Sequence, residues 1–151
     1  FSCFTKLDSQ KIKLKIVGNI INHLKPDNVI EHPNIEYLGD VSNDDLINLY
    51  TNAKMLVFPS FYEGFGLPPL EAISFNCPII LSDIPVLREI YEESALYVNP
   101  YNIDDIKNKI SKFLNDNKLR YEMISLGLKQ SKKYSWNKSA MRIIDLIKGL
   151  I

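Results

Sequence analysis

The chain has 151 residues, 46% of them hydrophobic and 24% charged, with eighteen basic side chains matched by eighteen acidic ones. This suits a single globular domain whose folding withdraws about 68–70% of the unfolded surface from water. The zero formal charge excludes a strongly basic nucleic-acid binder and an acidic tail protein, though not a local patch, and no apolar run approaches the ~20 residues that span a bilayer.

Phe1, Phe4 and Leu7 are spaced three apart, so the first residues read as the tail of a helix. Phe1–Lys6 carries no signal-peptide pattern and no initial Met, and the chain reads as beginning inside a larger protein. Leu14–Val17 is the first predicted strand, ending at Gly18, and Ile35–Leu38 is the second, closed by Gly39. Ser42 caps a predicted helix through Leu46, Leu49 and Tyr50. Met55–Phe58 is apolar at every position, as expected of a central buried strand, and Pro59 stops it. Pro68-Pro69 opens a short helix to about Phe75, where prolines are tolerated because first-turn N–H groups have no intrahelical partner. Pro78–Ser82 is the next strand, Pro85–Ile90 a short helix and Ala95–Val98 the last strand. Three helical stretches follow, Ile103–Leu114, Leu119–Tyr134 and Trp136–Leu150. The alternation predicts an α/β fold: a Rossmann-like, mainly parallel sheet of about five strands with flanking helices and a helical C-terminus.

The segment from Phe58 to Pro85 carries the chemistry. A loop with Glu63-Gly64-Phe65-Gly66 leaves the carboxyl end of a strand and enters a helix N-terminus, the place where open α/β sheets bind ligands. A helix N-terminus offers unpaired N–H groups and a positive partial charge, and Gly64 and Gly66 let an anion approach the backbone or the chain take positive φ. Glu63 and Glu71, eight positions apart, flank that end. Carboxylates repel phosphate but accept hydrogen bonds from paired hydroxyls. Amides between two carboxylates suit a ligand with phosphates in the middle and polyols at both ends, such as a nucleotide sugar. The plainer alternatives are a structural Gly-x-Gly turn and solvated surface glutamates.

Pro59-Ser60-x-x-Glu63-Gly64-Phe65-Gly66-Leu67-Pro68-x-Leu70-Glu71-Ala72 resembles the signature of the group 1 (family 4) retaining glycosyltransferases of GT-B fold. The resemblance extends through Cys77-Pro78, Ser82–Glu89, Ala95-Leu96-Tyr97-Val98-x-Pro100 and Tyr134-Ser135-Trp136, and upstream to Ile16-Val17-Gly18 and Tyr37-Leu38-Gly39-x-Val41. It implies that residues 1–151 form the C-terminal, nucleotide-sugar donor-binding domain of a two-domain enzyme, N-terminally truncated and without its acceptor domain. Glu63 would then be the catalytic-face carboxylate on the donor sugar, and Gly64, Phe65, Gly66 and Leu67 would bind sugar and diphosphate. Glu71 would hold the ribose diol, and Gly39, Asp40 and Val41 would lie near the base. The implied reaction moves a hexose, mannosyl or glucosyl among them, from a nucleotide diphosphate sugar with retention, without a cofactor or metal. The acceptor, a glycan or lipid-linked glycan, would be bound through the absent domain, and the diphosphate-binding cations would lie upstream of residue 1. The chain alone is expected to bind donor weakly and to transfer nothing. A cytoplasmic location, peripheral at the membrane face, and a role in polysaccharide synthesis follow from the same resemblance.

Other constellations carry less. There is no Asp-x-Asp loop, Gly-x-Ser-x-Gly elbow or Walker loop. Asp44-Asp45 and Asp104-Asp105 sit at helix starts, where acidic residues suit the dipole. His23 and His32 lack zinc-ligand company, and Cys3 and Cys77 form neither a metal motif nor a disulfide framework, in keeping with a reducing compartment. Cys77 reads as a small buried hydrophobe. Lys129, Lys132 and Lys133 read first as a solvated face and second as a weak attraction to anionic membrane surfaces. The last helix, with Trp136, Met141, Ile143, Ile144, Leu146 and Ile147, reads as core, while the resemblance implies that it crosses back to the other domain, which would leave part of it exposed here. Within the same fold an epimerase or phosphorylase-like enzyme has no supporting residue. The alternative from another class is a non-catalytic nucleotide-binding or protein-interaction module of Rossmann-like fold.

Overall fold

A computed structural model describes residues 2–5, 12–18 and 31–150. The elements, in order, are α1 (Ser2–Thr5), β1 (Leu14–Val17), β2 (Ile35–Gly39), α2 (Asn43–Asn52), β3 (Leu56–Phe58), α3 (Leu67–Ser74), β4 (Ile79–Ser82), α4 (Pro85–Tyr91), a 3₁₀ turn (Glu92–Ser94), β5 (Ala95–Val98), α5 (Ile103–Asn115), α6 (Asn117–Ser131) and α7 (Trp136–Lys148). All strand pairs are parallel, as the alternation of strands and helices predicts. Among the described residues five strands form two sheets, β1-β2 and β3-β4-β5, where one is expected from the sequence, and no strand bridges β1 and β3.

Among the described residues the strand expected to be central, β3, is therefore an edge of its sheet, and it is only half-buried. The fully buried centre is β4, paired on both sides in the register Leu56–Ile79–Ala95, Val57–Ile80–Leu96 and Phe58–Leu81–Tyr97. Alternate residues of these strands point to opposite faces. Leu56, Phe58, Ile79, Leu81, Ala95 and Tyr97 face one core, with Tyr50 of α2, Ala72 and Ile73 of α3, and Leu87, Ile90 and Tyr91 of α4. Val57, Ile80, Leu96 and Val98 face the other, with Ile106, Ile110 and Phe113 of α5 and Met123 of α6. The apolarity of β3 on both faces thus has its structural reason: each face meets a separate core.

Local signals set the element ends. The Ser42 hydroxyl accepts from the Asp45 amide at 3.2 Å and donates to its carboxylate at 2.6 Å, while Asn102 accepts from the amides of Asp104 and Asp105 at 3.0 and 3.1 Å. The dipole reading of both acidic pairs holds, since each lies in the first turn of its helix. After α3, Asn76 takes the left-handed conformation (φ 62°) and the Cys77 amide returns to the Ala72 carbonyl, turning the chain into β4. Gly127 of α6 lies over α3, where an added Cβ would sit 3.1 Å from the Ile73 side chain. The absence of a side chain there allows the helix carrying the candidate loop to be backed closely by α6.

The expectation that α7 is core is overturned. None of its residues is buried, and Trp136 is 79% exposed. Its apolar residues do lie at helical spacing, but no element of the described structure covers them. Phe4 of α1 is buried with its ring edge-on to His32, the latter accepting a hydrogen bond from the Asn34 amide at 3.2 Å. His32 is therefore built into the turn before β2. His23 and Cys3's side chain lie outside the described residues.

Candidate functional site

The loop 59–66 leaves the carboxyl end of β3 and delivers Gly66 as the N-cap of α3. Of the two glycines, only Gly66 uses the left-handed region, at φ 84°. It is buried against α4: a Cβ there would stand 2.9 Å from Leu87 Cδ2. The buried Tyr91 phenol donates to the Gly66 carbonyl. Burial pushes this phenol's pKa upward, with Tyr134 and Glu63 nearby adding to the rise and the Leu70 amide opposing it. Phe65 is fixed as well, packing edge-on against Tyr134 with ring centres 5.3 Å apart. Gly64 is exposed, with nothing within 4 Å of its Cβ position, and Leu67 is exposed at the first turn of α3.

The helix begins at Leu67, one residue before the proline pair expected to open it. Pro68 and Pro69 bring no N–H, so the donors at this end are the amides of Gly64 to Leu67. Among the described residues none of these four amides has a backbone acceptor outside the helix. Gly66 is the N-cap and Leu67 the first helical residue, with Gly64 and Phe65 in the loop before them; together with Glu71 in α3 these are the residues that the resemblance implies for donor binding.

Glu71 is exposed on α3 and accepts a hydrogen bond from the Tyr50 phenol, Oη to Oε2, at 3.3 Å. Tyr50 is 7% exposed and stacks on Phe75. Burial raises its pKa, and the Glu71 charge adds to the rise. Gly39 takes φ 63° at the end of β2, its carbonyl accepting from the Gly18 amide at 2.9 Å. Asp40 and Val41 follow, and Ser42 caps α2. The three residues expected near a base are thus at the carboxyl end of β2, joined to Glu71 by way of α2 and Tyr50.

At the carboxyl end of β4, Asp83 receives a two-point hydrogen bond from Arg88, Nε at 2.7 Å and Nη2 at 2.8 Å. Arg88 holds the Asp83 carboxyl below its ordinary range, and the guanidinium also lies 3.8 Å from the Tyr97 ring centre. This arginine thus ties the start of α4 to the end of β4. Lys133, in the turn that follows α6, pairs with Glu92 at 2.8 Å. Cys77 is buried, and burial pushes its thiol to about 12, as a small hydrophobe behaves. Among the described residues no group of three or more His, Cys, Asp or Glu side chains could hold a metal, and no helix is long and apolar enough to cross a membrane.

Sequence reasoning missed the phenols of Tyr50, Tyr91 and Tyr134. They stand on three different helices or their ends, and no spacing relates them to the residues they hold.

Comparison with known proteins agrees with this architecture. The profile of the family described as "Glycosyl transferases group 1" matches residues 2–130. The O-antigen chain mannosyltransferase B of Escherichia coli is 40% identical over 116 residues, covering 77% of this chain and 30% of the relative. Among solved structures, a sucrose-phosphate synthase from Thermosynechococcus elongatus superposes with a TM-score of 0.72 at 27% identity, over 78% of this chain and 30% of the other. The C-terminal domain of a group 1 glycosyl transferase (LpcC) from Francisella tularensis gives a TM-score of 0.59 at 27% identity, over 66% and 53%. The chain spans about a third of the curated mannosyltransferase's length. With the family profile covering most of the chain and the same α/β architecture in these structures, the chain belongs to the group 1 glycosyl transferases.

Proposed function

We propose that this chain is the C-terminal, donor-binding half of a retaining hexosyltransferase that uses a nucleotide diphosphate sugar. The observation that carries the reading is the loop before α3: four amides, Gly64 to Leu67, gathered at a helix start between Glu63 and Glu71. The diphosphate lies on those amides and the helix dipole, which stabilise the negative charge it gains as the sugar leaves. Glu63 stands beside the sugar, where its carboxylate accepts from hydroxyls and favours the positive charge developing at the anomeric carbon. Glu71 takes the ribose diol, and Gly39–Val41 border the base. The mannosyltransferase relative supports mannose as the hexose, and the LpcC structure, itself a C-terminal domain, supports the placement of this chain in its parent enzyme. The acceptor, a glycan or lipid-linked glycan, belongs to the other half of the cleft, and the reading places the enzyme in the cytoplasm, peripheral at the membrane face.

Calorimetry with the bare nucleotide and with the nucleotide sugar tests this assignment. Glu71→Ala should weaken both ligands, whereas Glu63→Ala should remove mainly the gain that the sugar confers. Each loses a hydrogen bond to a charged group, about 1.5–3 kcal/mol or roughly 10–100-fold in affinity. Equal losses on both ligands for both variants would break the assignment.

A further inference from the structure

Glu71 is an exposed glutamate with a buried partner. Left to solvent, a glutamate side chain samples many rotamers, and holding it in one costs entropy that a ligand must otherwise supply. Here the Tyr50 phenol, from the last turn of α2, reaches its Oε2 at 3.3 Å. The ring of Tyr50 is held independently, packed in the core and stacked on Phe75 with centres 6.5 Å apart and planes 12° apart. The hydroxyl is therefore a fixed donor, and the mobile partner is the carboxylate. Burial raises the phenol's pKa above its ordinary value, so the donor is not lost near neutral pH. A carboxylate has about four acceptor sites on its two oxygens. Among the described residues Oε1 has no hydrogen-bond partner, which leaves the carboxylate the capacity to accept from both hydroxyls of a diol.

We propose that Tyr50 is a positioning residue that presets the Glu71 carboxylate for the nucleotide's ribose diol, tying the helix that follows Gly39-Asp40-Val41 to the helix that carries the donor loop. The inference rests on the donor-site reading above and adds a determinant of nucleotide affinity from outside the signature motif. Phe at position 50 keeps the ring, its burial and its stack, and removes only the hydroxyl.

The test is a double-mutant cycle on the full chain. UDP, GDP and ADP are titrated by ligand-observed NMR, and the cycle uses whichever binds the wild type most tightly. Tyr50→Phe should weaken that nucleotide by about 3–10-fold, the share of a preset contact rather than of a lost one. In the Glu71→Ala background the same substitution should change affinity by less than about 2-fold, because nothing remains for the phenol to position. A merely structural Tyr50 would weaken binding equally in both backgrounds, and that result overturns the proposal, as does a Tyr50→Phe variant that binds like wild type. Failure of the donor-site reading has a different signature: Glu71→Ala then binds like wild type, or none of the three nucleotides binds at all, and the inference falls with it.

Discussion

At the scale of single residues, the site is organised by what is missing as much as by what is present. Gly66 combines a left-handed φ of 84° with a position where a Cβ would come within 2.9 Å of Leu87 Cδ2. Gly66→Ala thus meets both backbone strain and overpacking, and should destabilise the fold by about 1–3 kcal/mol in a denaturant titration. Gly64→Ala has neither penalty, with open space at its Cβ position, and should cost less than half as much. Similar losses for the two would contradict the packing of the loop against α4. Glu63, Glu71 and the two glycines could be proposed from the sequence because their pattern is local, a loop and the helix it opens. Tyr91 and Tyr50 could not: they act across 25 and 21 residues of sequence, and only the packing of α4 and α2 on the sheet brings them to the loop. The buried Ser82 hydroxyl, which has no hydrogen-bond partner among the described residues, was equally invisible in the sequence.

At the scale of elements, caps and periodicity identified most boundaries, while burial had to be learned from the structure. Two helices make the contrast. The α5 helix is capped by Asn102 on two amides and buries Ile106, Ile110 and Phe113. The α7 helix is capped by Ser135 on the Lys138 amide at 3.1 Å and buries nothing. The caps are chemically alike, but only one is coupled to the core. Asn102→Ala should lower global stability by about 1 kcal/mol, whereas Ser135→Ala should fray α7, seen as reduced helical circular dichroism, and leave the midpoint of core unfolding unchanged. A shift of that midpoint by Ser135→Ala would mean that α7 is packed on the core. The misreading of α7 has a simple cause: an apolar stripe says that a helix face wants cover, not which surface supplies it. The reading of β3 as central failed for a related reason. A short apolar strand is compatible with any position that has both faces covered, and the hydrogen-bonding neighbours that define an edge leave no trace in composition.

At the scale of the whole molecule, a few exposed ion pairs join elements around the candidate site. Arg88 holds Asp83, and Lys133 with Gln130 holds Glu92; both carboxyls titrate below their ordinary values. A depressed carboxyl contributes stability that is fully present above its unfolded pKa and lost as pH falls through the folded one. Wild type should therefore be more stable than Asp83→Asn near pH 6, with the gap closing below about pH 4 as Asp83 is protonated. The gap should be small, since this pair is half-exposed to solvent. Thermal melts of the two proteins from pH 6 to 3 would check it, and a gap that widens with acid would refute the pairing. By itself the sequence determined the α/β class, the order of strands and helices, the caps, and the loop with its two carboxylates. Each depends on interactions within a few residues of chain: periodicity, capping, the absence of a Cβ. The tertiary structure alone decided, among the described residues, the division into two sheets, the central place of β4, the exposure of α7 and the phenols that hold Gly66 and Glu71. Those depend on which surfaces meet across long stretches of chain, and pairing of that kind is set by the packing of the whole domain.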